Sequence, residues 1–123
     1  MIVIVDTSIW IEHLRASDPM LADMIRQRSV RLHPFVLAEI ALGNPPNRSR
    51  LLTNLKGLRP APVATEEEML TLVESEAIFG KGLGFVDVHL LASARLEPGS
   101  SVWTRDKRLG AVARNLGLAM TSH

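Results

Sequence analysis

Cysteine and tyrosine are both absent from the 123 residues of this chain, and its aromatics are limited to three phenylalanines and two tryptophans. Without cysteine there is no disulfide, no thiolate zinc site and no thiol nucleophile, so any metal must use oxygen or nitrogen ligands. Aromatic side chains this sparse argue against a stacking platform of the single-strand-binding kind, and Trp10 and Trp103 read as core. No stretch reaches the roughly 18 apolar residues of a membrane span. The apolar run at residues 2–5 is too short for a signal-peptide core and lacks a basic flank, so the expected location is cytoplasmic, with no membrane partner.

A strong charge of either sign is also missing, the formal net charge being +1. Nucleic-acid binding depends on where charges lie rather than on their sum. Basic residues gather at Arg26, Arg28 and Arg31, at Arg48 and Arg50, and at Arg105, Lys107 and Arg108; any one cluster reads by default as solvated surface. His13, His33, His89 and His123 form no ligand set, since His89 and Asp87, two apart on one helix, face different ways.

Hydrophobic residues make up 46% of the chain against 22% charged, which describes a folded domain rather than a disordered one. A single domain is expected over residues 1–121, with 122–123 frayed. The β-branched run 2–5 suits a strand buried on both faces. Helices are expected at 8–15 and 19–28, the second capped by Asp18 with Pro19 at its first position, and a second strand at 29–33. Residues 35–42, apolar except for Glu39 and followed by Gly43, read as a buried helix.

An amphipathic helix at 48–58 places Leu51, Leu52, Leu55 and Leu58 at helical spacing, and if partly exposed it suits a partner helix or a dimer contact. Residues 59–63 make a connector or edge strand. Thr65 and Glu68 form a capping box for a helix reaching about residue 79. A further apolar helix at 85–96, a strand at 101–104, a helix at 106–116 and a strand at 118–121 complete the pattern. Alternating strands and helices imply an α/β fold with a central parallel sheet of four to five short strands flanked by helices.

Four acids stand out. Asp6 and Asp106 follow directly on strands, and ligands of open parallel sheets bind at the C-terminal strand ends; each also reads as the N-cap of the next helix. Glu39, flanked by Leu37, Ala38, Ile40 and Ala41, needs a cation or a proton if it is buried. Asp87 begins an apolar helix, where it also complements the helix dipole. Four structural accidents would have to coincide to explain them all. Converging carboxylates repel one another, and a divalent cation resolves the conflict; oxygen ligands favour Mg²⁺ or Mn²⁺. On this reading Asp6→Asn preserves or raises stability without metal. Arg108, beside Asp106, is a candidate for holding a substrate phosphate.

Val5-Asp6-Thr7-Ser8, the isolated Glu39 in Leu37-Ala38-Glu39-Ile40, Phe85-Val86-Asp87-Val88-His89-Leu90-Leu91-Ala92 and Trp103-Thr104-Arg105-Asp106-Lys107-Arg108-Leu109 together resemble PIN-domain ribonucleases, in particular the VapC-type toxins of toxin–antitoxin pairs. The match spans almost the whole chain, with four motifs in order. It implies a PIN-like fold and a Mg²⁺- or Mn²⁺-dependent endoribonuclease acting on RNA, a homodimer held inactive by a cognate antitoxin. By that likeness Asp6 and Asp87 are direct metal ligands, Glu39 and Asp106 orient water or hold a second ion, and Ser8 and Thr104 support the cluster. Two alternatives remain: a receiver-like signalling domain with a Mg²⁺-binding aspartate pocket, and a PIN-like module that binds RNA or protein without cutting. A receiver would leave Glu39 without a role and lacks a middle strand ending in a phosphoacceptor aspartate.

Overall fold

Ile2–Val5 forms β1, whose residues Val3, Ile4 and Val5 are wholly buried. The chain then runs through α1 (Thr7–Arg15) and α2 (Pro19–Arg26), β2 (Val30–Arg31), α3 (Pro34–Leu42), α4 (Arg48–Lys56), α5 (Glu66–Ser75), α6 (Phe85–Leu96), β3 (Ser100–Trp103) and α7 (Lys107–Asn115). This computed structural model describes residues 1–121, so the fraying expected at 122–123 lies outside the described residues. The strands form one parallel sheet in the order β2-β1-β3, with Val3 opposite Val30 and Val5 opposite Trp103. A continuous run of side chains buried on both faces follows from that central position.

The sheet has three strands among the described residues, not four to five. Both extra segments are present but pair at one position each. Leu32 bridges Pro60, donating to the Arg59 carbonyl and accepting from the Ala61 amide, and proline has no N–H with which to extend a ladder. At the other edge Val102 bridges Ala119 through Leu118 and Met120, again for one pair. The second strand is shorter than expected because His33 and Pro34 already open α3: the His33 ring accepts from the Phe35 amide as an N-cap.

Two helices also stop early. Arg28 and Ala77 take left-handed backbone angles of 58° and 50°, ending the turns after α2 and α5; a helix cannot continue through such a residue. α6 is the most deeply set helix, its residues Val88 to Ala94 all buried against β1, β3 and α5. α3 is only half buried, contrary to its composition: Ala38 and Glu39 face outward and Leu42 is 87% exposed. None of the helices among the described residues is long and apolar enough to cross a membrane.

Candidate functional site

The order β2-β1-β3 makes the chain depart from the central strand in two directions, which opens a crevice at the strand C-termini. Asp6 is the first residue beyond β1 and is 7% exposed. It is locked by three hydrogen bonds: Oδ1 accepts from the Thr7 amide at 2.8 Å, and Oδ2 accepts from the Ser8 hydroxyl at 2.8 Å and the Thr104 hydroxyl at 2.7 Å. Those hydroxyls are themselves oriented. Ser8 Oγ accepts from the Arg105 amide and Thr104 Oγ1 from the Asp106 amide, which leaves each hydroxyl proton for Asp6. The loop after β3 is thereby tied to the loop after β1.

Asp106 begins α7, where Oδ1 accepts from the Leu109 amide at 2.9 Å. Glu39 lies on α3 and is exposed rather than buried; Thr7 donates its hydroxyl to Oε1 at 2.6 Å. Thr7 is a supporting residue that the pattern of acids does not reveal, although it stands inside the Asp6-Thr7-Ser8 run. Asp87, in the first turn of α6, accepts from the Gly84 amide at 2.9 Å. Every aspartate of the four is thus a helix cap, and each still leaves carboxylate lone pairs uncommitted. The capping and functional readings are compatible.

The four acids come from four separate elements, and three of them act on the fourth, Asp87. Burial pushes the Asp87 carboxyl above its ordinary value of 3.8; the Gly84 amide opposes this, and the charges of Asp6, Asp106 and Glu39 raise it further. Among the described residues the ion pairs are Arg26–Asp23, Arg31–Glu97, Arg95–Glu76 and Arg105–Glu12, so no arginine or lysine neutralises the four. Hard oxygen donors that repel one another and lack a counter-charge fit a divalent cation of the Mg²⁺ type. No three acidic or imidazole side chains among the described residues are already gathered tightly enough to share one ion. Two carboxylates completed by water is the arrangement such an ion ordinarily takes.

Arg108 lies across the glycine-rich loop before α6: a Cβ on Gly82 would stand 2.8 Å from its Cδ and 2.9 Å from a terminal nitrogen. The bare Cα of Gly82 is the bed on which this guanidinium rests. Arg105 is committed to Glu12 at 2.9 Å, and Lys107 is exposed. His33 and His89 are 0% and 4% exposed. Burial, and then the neighbouring His89, lower His33 from 6.5 to about 4, so it is neutral at physiological pH.

The family model for the PIN domain matches residues 3–115. Ribonuclease VapC32 of Mycobacterium tuberculosis, represented from two strains, is 44% identical over 118 residues, which cover 96% of this chain and 95% of the relative. Among solved structures, the crystal structure of PAE2754 from Pyrobaculum aerophilum aligns with a TM-score of 0.66 over 98% of this chain and 88% of that one. Its identity is 19%, a likeness of fold alone.

Proposed function

The chain belongs to the PIN-domain family, and from that premise we propose that it is a metal-dependent endoribonuclease that hydrolyses RNA phosphodiester bonds, the toxin of a toxin–antitoxin pair. The observation that carries this reading is that the charges of Asp6, Asp106 and Glu39, each from a different element, raise the pKa of Asp87, with no arginine or lysine paired to any of the four among the described residues. A near full-length relative that is named as a ribonuclease supports the choice of RNA.

Asp6 and Asp87 are the proposed metal ligands. Ser8 and Thr104 fix Asp6 in one rotamer, so its outward lone pairs need no reorganisation when a ligand arrives. A bound Mg²⁺ or Mn²⁺ supplies polarisation of the phosphodiester and a water of lowered pKa. Glu39 and Asp106, the more exposed pair, orient the attacking water and accept its proton; Thr7 keeps the Glu39 carboxylate turned toward the crevice. Arg108, free of ion pairs among the described residues and laid over Gly82, holds a substrate phosphate oxygen. Single-stranded segments are the expected substrate, because their bases can be splayed out and the domain is small and near neutral.

The reading places the protein in the cytoplasm as a homodimer restrained by its antitoxin. Of the leucines at 48–58 only Leu55 is buried; Leu51, Leu52 and Leu58 pack against the core yet stay partly exposed, so that face remains open to a partner helix or a dimer contact. An open apolar groove of about 590 Å³, lined by Ile11, Leu14, Ile40 and Pro45 with Glu39 at its rim, is better suited to an antitoxin helix. A basic antitoxin side chain entering past Glu39 would occupy the acid cluster. The test of activity is cleavage of a mixed single-stranded RNA pool. Cleavage should require Mg²⁺ or Mn²⁺, stop with chelator, and fall to background in Asp6→Ala and Asp87→Ala; variants as fast as the parent would refute the mechanism.

A further inference from the structure

Phe85 opens α6 and is 61% exposed, as is Phe79, but of these two only Phe85 meets another aromatic ring among the described residues. It is not isolated. Phe35, fifty positions earlier in sequence, stacks against it with ring centroids 5.8 Å apart and planes 24° from parallel. Behind the pair stands His89, tilted against Phe85 at 4.6 Å and edge-on to Phe35 at 4.9 Å, while His33 closes on Phe35 at 4.9 Å. The two histidines are buried, so the pair is braced from within, with Phe35 half-buried and Phe85 open to solvent.

The location of the pair is as informative as its chemistry. Phe35 precedes Glu39 by four residues on α3 and so lies on the same helix face, one turn away. Phe85 shares the first turn of α6 with Asp87. The stacked pair therefore stands one turn from Glu39, with Phe85 on the His89 side of α6. We propose that Phe35 and Phe85 form a stacking surface for an unpaired nucleobase of the RNA, which holds the strand with its phosphate at the acids. This rests on the ribonuclease reading and specifies how that site grips its substrate.

Several features favour a base over an apolar peptide as occupant. The exposed surface is aromatic and flat rather than a row of aliphatic knobs, and every base presents a π-face to such a surface. It adjoins a centre for phosphodiester chemistry, where the backbone of the same nucleotide must lie. Phenylalanine carries no hydrogen-bonding group, so the surface ranks bases by stacking area and favours purines without reading one in particular. The buried histidine backing keeps Phe85 in place before RNA arrives, which reduces the ordering cost of binding.

The experiment compares steady-state cleavage of a single-stranded, adenosine-rich RNA by the parent, Phe85→Ala, Phe85→Tyr and Phe85→Trp. Phe85→Ala should raise KM about ten-fold with kcat nearly unchanged, the loss expected of one stacked base. Phe85→Tyr and Phe85→Trp should restore it. The indole of Phe85→Trp should also be quenched by this RNA beyond any change in the parent, and not by an abasic oligonucleotide of equal length. An unchanged KM in Phe85→Ala, equal quenching by the abasic strand, or a defect confined to antitoxin binding would overturn the proposal. Cleavage that depends on metal and Asp6 but is indifferent to Phe85 would remove the stacking surface alone; a parent that cleaves no RNA would remove the ribonuclease reading with it.

Discussion

Asp6 and Asp87 are chemically the same residue in opposite circumstances. Asp87 retains its proton above 3.8, so between that value and its raised pKa the folded state binds more protons than the unfolded one. Stability therefore falls as pH rises through that window, and the penalty persists at neutral pH. Asp87→Asn keeps an oxygen for the Gly84 amide and removes the charge. Without metal it should melt a few degrees above the parent at neutral pH, with the gap closing as pH falls toward 4. Asp6→Asn should melt below the parent, because the Ser8 and Thr104 hydroxyls must both donate to Oδ2. An amide there strands buried donors, at about 1–3 kcal/mol. Differential scanning calorimetry in chelator checks both signs. Sequence alone treated the four acids as equivalent repelling charges and expected Asp6→Asn to be neutral or favourable. The family resemblance already named Ser8 and Thr104 as supports, but that both hydroxyls are committed to one oxygen of Asp6, Thr104 from 98 positions away, was not legible in the sequence.

At the level of elements, local signals served best where the chemistry is local. Asp18 and Thr65 cap their helices as their neighbours indicate, Thr65 within a complete capping box. The 35–42 helix reads as buried from its composition, because seven apolar neighbours of Glu39 cannot reveal that α3 has only one covered face. The phenylalanine pair was invisible for a related reason: scarcity in composition says nothing about two rings fifty residues apart meeting at one site. The Gly80–Gly84 loop shows a relation of the same kind. Gly82 has a backbone angle of +79° and carries the Arg108 side chain against its Cα. Gly82→Ala should cost about 1 kcal/mol through strain and displace that guanidinium. Raised KM with a smaller change in kcat, measured on single-stranded RNA, is the expected result; unchanged KM would mean that Arg108 does not hold substrate.

Across the whole molecule, the parallel α/β order and the positions of the acids at strand ends were accessible from hydrophobic pattern and spacing. The strand count was not, because edge pairing is decided by single residues such as Pro60. What the fold achieves is convergence. The end of a central strand, two helices and the loop beyond an edge strand carry four carboxylates, three of which raise the pKa of the fourth, Asp87. None of the four has an ion-paired counter-charge among the described residues, and α6 is the buried helix that carries Asp87. The most direct test of that claim is an anomalous difference map from crystals of this protein soaked in Mn²⁺. The account predicts a peak between the Asp6 and Asp87 carboxylates, at about 2.1 Å from an oxygen of each, with Glu39 and Asp106 beyond the bound waters. Saturating Mn²⁺ with no density there, or density only at other carboxylates, would contradict it.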